Sequence, residues 1–234
     1  MNVLGIVDLY KQLSPSIKSS LIIIFILIIF AIIVGHKASK QDPNKAPKGI
    51  LLLVEVLVKW VNSMCDEILG DKGKRYSPMV LTFVMFIFIA NIAGLFGLHP
   101  PTANIAITVA LGFISAFLIH FTGIKEQGFK NWLKGFLDPS PIMLPMNIVS
   151  ELITPFSLGM RLFGNILSGV IIMNILYGVL TGFSIMGFPL GTIIAPVVTP
   201  AFHAIFDIFF GAIQTYVFVL LTIVFISGKM PENE

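Results

Sequence analysis

Three ionised side chains stand in the most apolar part of this chain, and they are the residues best suited to do chemistry. The ninety residues from Pro139 to Gly228 hold Glu151, Arg161 and Asp207, with His203 beside them. An ionised group at the centre of a bilayer costs at least about 3 kcal/mol on insertion scales, and a guanidinium cannot escape by losing its proton. Charges kept at such a cost indicate a path for protons or ions.

Arg161 lies in a row of polar residues with helical spacing. The row follows intervals of three, four, four and three, and it consists of Thr154, Ser157, Arg161, Asn165 and Ser168. On a helix these intervals place all five side chains on one face, which is either wet or turned to another protein. The alternative is a plain helix contact in which Arg161 pairs with Glu151 or Asp207. Small residues suit both interpretations, because they allow a second helix to approach closely: Gly159, Gly164 and Gly169.

A second polar face follows in the last apolar segment. His203, Asp207 and Gln214 are separated by four and seven residues, which places them within about 40° around a helix. Asp207 is a candidate for loading and unloading a proton, since a carboxylate in an apolar setting is a typical proton carrier. For His203 a hydrogen-bonded core role and a functional role both stay open.

No motif for another chemistry accompanies these residues. The sequence lacks a Walker A loop, a His-Glu-x-x-His zinc helix, a Gly-x-Ser-x-Gly elbow and a dinucleotide fingerprint. We therefore predict no catalytic residues, no metal site and no cofactor. A proton relay or an ion path is the chemistry that the polar faces favour.

The composition is that of a membrane protein. Hydrophobic residues make up 56% of the 234 residues and charged ones 12%, with a mean hydropathy of +0.94. A net charge of +3 is too small for a nucleic-acid-binding surface, so we expect the lipid bilayer and no nucleic acid as partner. The single cysteine, Cys65, excludes an intramolecular disulfide and a cysteine-based metal cluster within one chain.

Hydropathy predicts an all-α protein that forms a single polytopic membrane domain over residues 1–234. About five transmembrane helices are expected, at 17–35, 78–98, 102–123, 141–180 and 189–228. The second and third of these form a hairpin, and 125–138 is expected to be a charged loop. Each of the last two would measure roughly 57 Å as a straight helix, so it must tilt or break at its prolines, and the sequence leaves this choice open.

One further helix, at 48–72, is amphipathic. It carries a polar stripe on an otherwise apolar segment, formed by Glu55, Lys59, Asn62 and Asp66. This pattern favours a helix lying in the membrane interface, and a soluble helix packed on a partner is the alternative. Eight Lys/Arg between Lys37 and Arg75 and three between Lys125 and Asp138 place these loops in the cytoplasm. The amino terminus is then outside and the carboxyl terminus inside.

Two segments resemble the signatures of a known family. The run from Ser157 to Asn165, SLGMRLFGN, and the run from Ile213 to Phe218, IQTYVF, are similar to the two signature segments of the a subunit of rotary F-type ATP synthases. The resemblance extends from about Phe83 to the carboxyl end and is weak before residue 45. The chain is therefore identified as a member of this family, of the bacterial type.

The resemblance implies a fold and a role. It implies two long, steeply tilted last helices beside a rotating ring of c subunits, and a b-subunit peripheral stalk and other ATP synthase subunits as further partners. It also implies a non-catalytic, ion-translocating stator in the bacterial plasma membrane, with two half-channels and an essential arginine, here Arg161. The residues we expect to serve ion translocation are Arg161, Asp207, Gln214, Asn165, His203, Glu151 and Ser168, with Asn91 and Asn104 as half-channel candidates.

The sequence also departs from the family pattern. Many bacterial relatives have a glutamate nine residues after the arginine, where this chain has Val170, whereas others have an acid seven residues before the glutamine, where it has Asp207. One carboxylate has thus changed helices. Position 104, acidic in several relatives, is Asn104.

Two other function classes remain as alternatives. One is a proton-coupled secondary transporter in which Arg161 binds an anionic substrate, although no repeat relates the two halves of the chain. The other is a purely structural scaffold, which leaves costly charges without a role. For the transported ion we favour H⁺, and Na⁺ stays possible.

Overall fold

The computed structural model describes residues 12–42, 46–137, 140–182 and 190–230, and within these ranges the chain is helical with no strand. The helices are α1 (Pro15–Ser39), α2 (Ile50–Leu69), α3 (Gly73–Ile92), α4 (Ile105–Gln127), α5 (Phe129–Lys134), α6 (Leu144–Gly182), α7 (Leu190–His203) and α8 (Phe210–Ser227). A π-helix at Ala204–Phe209 joins the last two. Five helical stretches in the described ranges are long and apolar enough to cross a membrane. The prediction of an all-α membrane protein is confirmed.

α1 shows why these apolar segments form helices. The Ser14 side chain caps the first turn by accepting a hydrogen bond from the amide of Ile17 at 3.4 Å, and Pro15 occupies the first helical position. Beyond the cap the helix is apolar all round, and most of its isoleucines are exposed. A helix of this kind satisfies its own backbone in lipid, as a membrane span must.

α2 is amphipathic and folds back on α3. Gly70, at a φ of +58°, ends α2, and the Ser77 hydroxyl on α3 donates to the Asn62 side chain on α2. Val61 and Cys65 form the buried face, while Glu55 and Lys59 form an exposed ion pair at 2.6 Å. The second half of α2 is thus packed on the protein, whereas apolar residues of its first half, such as Leu53 and Val56, remain exposed.

The segment between α4 and α6 differs from the expected loop. Residues 129–134 form the short helix α5, which begins after Gly128 at a φ of +80°. The Trp132 ring lies against His120 of α4 and against Phe136, with ring centroids 5.8 and 5.0 Å apart. Aromatic packing therefore fixes this segment to α4, and the prediction of a plain loop there was wrong.

Of the two long apolar segments, predicted at 141–180 and 189–228, the first forms one continuous helix and the second does not. α6 runs unbroken for 39 residues, about 58 Å, with Pro155 inside it. The second segment contains Pro196 and Pro200 within α7 and then changes to the π-helix before α8. A Gly- and Pro-rich stretch separates the two segments in the sequence. Residues 183–189 of this stretch lie outside the described part of the chain.

Close packing against α4 fixes the position of α6. A Cβ atom at Gly112 would overlap the carbonyl oxygen of Pro155, and one at Gly159 would lie 2.7 Å from the carbonyl oxygen of Thr108. Glycine is therefore required on both helices where their backbones meet. Gly164, by contrast, has open space around it, and Gly169 has only ordinary contact with Phe206.

α8 lies at the centre of the molecule, where it packs against α2, α3, α4 and α6. The core that they share includes Val61, Ile87, Leu162, Phe218 and Ile223. Leu158 and Leu162 turn one face of α6 into this core, and Met160 and Arg161 between them are exposed. This packing sets which side chains α6 presents on its outer surface.

Candidate functional site

Arg161 is on the outward surface of α6. Its side chain is exposed, and no hydrogen bond or ion pair within the described residues reaches it. Glu151 and Asp207, the two acids that could have paired with it, have other partners. The alternative in which Arg161 is one half of an internal ion pair is therefore not what the structure has.

Asp207 belongs to a group of three residues, which we call the Tyr177 cluster: Tyr177, His203 and Asp207. Nδ1 of His203 lies 2.6 Å from a carboxylate oxygen of Asp207, and Nε2 of the same ring lies 2.8 Å from the hydroxyl oxygen of Tyr177. Tyr177 is on α6, so the cluster joins the two long segments. All three side chains are partly exposed.

The π-helix positions Asp207. Prolines at 196 and 200 remove two backbone donors from α7, and the hydrogen-bonding pattern changes to the wider π form directly after it. A π-helix has more residues per turn than an α-helix, so the α-helical spacing from Asp207 to Gln214 does not apply across it. Gln214 is accordingly buried, with 8% of its surface exposed, while His203 and Asp207 remain accessible.

Glu151 is the centre of a second group, the Glu151 cluster: His120, Glu151 and Lys229. One carboxylate oxygen accepts from the Lys229 ammonium, and the other lies 3.5 Å from Nε2 of His120. Gln127 holds the backbone carbonyl of Lys229 at 2.8 Å. Cavities of about 240 and 390 Å³ both have Ser150, Glu151 and Lys229 in their walls, so water can reach this carboxylate.

The two long segments cross near Asn165, whose side-chain amide donates to the carbonyl of Phe210 at 3.4 Å. Tyr177 contacts His203 and Glu151 contacts Lys229, so α6 runs antiparallel to the segment that contains α8. Arg161 lies one turn before Asn165 on α6, and Gln214 lies one turn after Phe210 on α8. Because the two helices are antiparallel, Arg161 and Gln214 are at the same level along the helix axes. Gln214 therefore lies behind the arginine, toward the core.

Asn91 joins α3 to α8. Its side-chain amide donates to the carbonyl of Gly211 at 3.1 Å and to the hydroxyl of Thr215 at 3.3 Å, and only 1% of its surface is exposed. Its side-chain oxygen and the side-chain nitrogen of Gln214 are both buried with no partner among the described residues. An acceptor and a donor thus remain available within the core near the level of Arg161.

Two other predicted residues satisfy local backbone groups. Asn104 caps α4, and its side-chain oxygen accepts from the amide of Ala106 at 2.9 Å. Ser168 donates to the carbonyl of Gly164, one turn earlier in its own helix, at 2.7 Å. Neither bond reaches a charged group.

Three residues of the clusters were not among the candidates from the sequence: Tyr177, His120 and Lys229. Each contacts a carboxylate or its histidine from a different helix or from the chain end. No spacing rule along the sequence connects them to their partners. Within the described residues, no three His, Cys, Asp or Glu side chains come together as a metal site.

Along α6 the functional groups are well separated. Glu151 is ten residues before Arg161 and Tyr177 is sixteen residues after it, which correspond to about 15 and 24 Å of helix. The arrangement is a polar cluster toward each end of the long helix, with an exposed arginine between them that has no partner among the described residues. Each cluster offers a carboxylate and a histidine that can bind a proton, and the arginine repels a cation in the middle.

Comparisons with known proteins agree with this arrangement. The family model described as "ATP synthase A chain" matches residues 18–227. Proteins named "ATP synthase subunit a" are similar along most of their length. The one from Streptococcus agalactiae serotype Ia is 35% identical over 227 residues, 91% of this chain and 87% of the relative.

Two further relatives carry the same name. The protein from Anoxybacillus flavithermus is 33% identical over 226 residues, 92% of each chain. The protein from Moorella thermoacetica is 28% identical over 203 residues, 86% of each chain. The matched residues include the apolar helices, Arg161, and the acids of both clusters, Asp207 and Glu151. The chain therefore belongs to the ATP synthase A chain family.

Proposed function

We propose that this chain is the ion-translocating stator subunit of a rotary ATP synthase, with no catalytic site of its own. The observation that carries the proposal is the exposed Arg161, unpaired within the described residues, between two acid-containing clusters on one long helix. An unpaired guanidinium in an apolar surface needs a negative partner outside the chain. A carboxylate on a rotating ring of c subunits is such a partner.

The physical chemistry of the ring carboxylate explains the need for a fixed cation. While it crosses lipid the carboxylate must be neutral, with its proton bound, because the charged form is too costly there. Beside Arg161 the charged form is favoured, so the ring releases its proton at that point. The same guanidinium repels a cation that would pass directly from one side to the other. Protons therefore cross only by riding the ring.

The two clusters supply the two half-channels in this proposal. With the amino terminus outside and the carboxyl terminus in the cytoplasm, Lys229 lies on the cytoplasmic side. The Glu151 cluster and its cavities then form the inner half-channel. The Tyr177 cluster, at the other end of α6, forms the outer half-channel, and Asn165 and Gln214 lie between them near Arg161.

The remaining assignments follow from the family and from the faces of the molecule. The outward surface of α6 would meet the c-subunit ring, and a b-subunit stalk and other ATP synthase subunits would complete the complex. The amphipathic α2 would lie in the interface of a bacterial plasma membrane, with its Glu55–Lys59 side toward water.

H⁺ is the ion that we propose. Both clusters combine a carboxylate with a histidine, two side chains that can each bind and release a proton. A Na⁺ site would need several oxygen ligands around one point. ATP-driven pumping that requires Na⁺ at fixed pH would contradict this assignment.

The decisive test replaces Arg161 in the assembled complex. Arg161→Ala should abolish ATP synthesis driven by an imposed ion gradient, and Arg161→Lys should do nearly the same because lysine lacks the delocalised, always-charged fork. Membrane insertion and subunit abundance should stay normal. Synthesis would be measured in proteoliposomes and normalised to the amount of assembled complex.

Arg75→Ala is the matched control. Arg75 is the other arginine of the chain, and its partner Glu126 keeps a second cation, Lys72 at 2.6 Å. This variant should synthesise ATP normally. Normal synthesis by Arg161→Ala would refute the mechanism, and solute uptake by the purified chain alone would favour the transporter instead.

A further inference from the structure

The histidine of the Tyr177 cluster has both ring nitrogens in hydrogen bonds. A carboxylate can only accept, so the short contact between Nδ1 of His203 and Asp207 requires the proton to be on Nδ1. In a neutral ring Nε2 is then an acceptor, and the Tyr177 hydroxyl at 2.8 Å must donate to it. The Asp207 carboxylate thus selects the Nδ1–H tautomer of the neutral ring, and the phenol satisfies the Nε2 that this tautomer leaves as an acceptor.

The same hydroxyl also fixes the orientation of the ring. A 180° flip of the imidazole would move Nε2 away from the phenol and Nδ1 away from the carboxylate, and both hydrogen bonds would be lost. Tyr177 itself is held on α6, and its ring lies 6.3 Å from the His203 ring at an angle of 47°. The phenol therefore constrains His203 from the opposite helix.

We propose that Tyr177 is a positioning residue of the outer half-channel, which holds the Nδ1–H of His203 toward Asp207. The proposal rests on the assignment of Asp207 to that half-channel. While the Asp207 carboxylate is ionised, the Nδ1–H of His203 donates a hydrogen bond to it. When a proton from the outer side binds the carboxylate, His203 releases this hydrogen bond. No bond is made or broken at Tyr177, which keeps its own proton throughout.

The electrostatic surroundings of His203 are simple. α6 contributes Tyr177, the π-helix contributes Asp207, and the adjoining parts of α3 and α8 contribute no titratable side chain. Residues 183–189 include no titratable side chain either. On α6 the nearest other charge is Arg161, about 24 Å along the helix. Removal of the Tyr177 hydroxyl should therefore change the hydrogen bonding and orientation of His203.

The test removes that hydroxyl alone, with Tyr177→Phe in the assembled ATP synthase. The ring and its packing stay, while Nε2 loses its partner. We expect the rate of ATP synthesis per assembled complex to fall about three- to tenfold, because the imidazole is no longer held in one orientation. Tyr216→Phe is the control, since Tyr216 is similarly exposed and has a ring contact with Trp60 at 6.1 Å.

A second readout separates positioning from simple packing. In proteoliposomes the rate would be measured against the pH of the outer compartment, at fixed inner pH and fixed potential. Without the phenol oxygen, a protonated ring would have no acceptor for Nε2–H, so the profile should move to lower pH by about half a unit or more. A packing defect would lower the amount of complex and leave this profile unchanged.

The inference also requires that Tyr177 act through His203. In a His203→Gln background, Tyr177→Phe should cause no further loss, which a double-mutant cycle measures. An equal loss in both backgrounds, or a wild-type rate and pH profile for Tyr177→Phe, would overturn the positioning role. The Asp207→Asn variant, measured in the same experiment, shows which proposal has failed. If Tyr177→Phe is unimpaired and Asp207→Asn is impaired, only the positioning role is overturned and the outer half-channel stands. If Asp207→Asn is also unimpaired, the proposed half-channel itself fails.

Discussion

The two clusters contain similar groups, a carboxylate and a histidine, but they balance the negative charge differently. Among the described residues the ion-pair partner of Asp207 is His203, one turn away on its own segment, and a histidine is a cation only while it is protonated. Glu151 has His120 and also the ammonium of Lys229. A carboxylate beside a fixed cation is balanced without a proton. In the mechanism that we propose, the Tyr177 cluster therefore exchanges protons on the outer side, whereas Lys229 balances the charge of Glu151 in the inner half-channel.

The clusters also differ in how they are held. The Tyr177 cluster joins two elements, α6 and the end of α7 with its π-helix. The Glu151 cluster joins α4, α6 and the end of α8, and the Gln127 side chain and the Phe136 ring, 5.7 Å from the ammonium, add further contacts to Lys229. A more constrained inner site suits an exit that must not trap the proton. The variants below test how far this contrast determines function.

The largest effect is expected from the outer acid. Asp207→Asn keeps the shape of the side chain but removes the charge, so it should reduce ion-driven ATP synthesis at least about tenfold per assembled complex. Proton flux and subunit abundance would be measured together. Lost flux at normal abundance supports the channel role, whereas lost abundance with normal flux per complex would show that Asp207 only stabilises the assembly.

The position of the acid can be tested by moving it. Asp207→Ser combined with Val170→Glu should restore part of the flux, because Val170 is exposed on α6, between Arg161 and Tyr177. A carboxylate there lies on α6 instead of the π-helix, but still on the Tyr177 side of Arg161. Flux no better than that of Asp207→Ser alone would show that the π-helical position itself is required.

The fold was largely predictable because its signals are local. Apolar runs of span length and two proline-containing long segments are visible in the sequence, and the structure has helices at these places. α5 was missed because its aromatic contacts with His120 are tertiary. The role of Asn104 had a local signal, since an Asn directly before an apolar run is a helix cap.

The site was predictable only along single helices. The polar row through Arg161 and the pair His203–Asp207 follow from four-residue spacing, and the structure brings the pair together. Tyr177 and Lys229 join their clusters from other elements, so no periodicity could have revealed them. The π-helix, which shifts Gln214 relative to Asp207, has no signal in side-chain spacing.

A smaller effect is expected from the inner acid. Glu151→Gln leaves Lys229 without its counter-ion but does not interrupt proton uptake, so ATP synthesis should fall only about two- to fivefold. Initial rates of synthesis and of ATP-driven pumping would be compared. Glu126→Gln is the control, because Glu126 pairs with Lys72 and Arg75 away from α6. A loss as large as that of Asp207→Asn would contradict the contrast between the two ends.

The smallest change in rate, and the sharpest test of the contrast, is expected from Lys229→Gln. Without the ammonium, Glu151 keeps His120 as its ion-pair partner among the described residues, so the inner cluster, like the outer one, then pairs its carboxylate with a histidine alone. The rate at neutral pH should change by no more than about twofold, since the carboxylate remains. Its dependence on cytoplasmic pH, however, should change from nearly flat to a titration curve, because the charge beside the carboxylate then depends on whether His120 is protonated.

That curve would be measured at fixed outer pH and fixed potential, with Lys134→Gln as the control. Lys134 is an exposed lysine in the last turn of α5, so its removal changes the net charge equally without touching Glu151. A pH dependence as flat for Lys229→Gln as for the control would show that the protonation of His120 does not affect the function of Glu151. The difference between the two ends would then arise from how firmly each cluster is held, and the fixed cation would have no part in it.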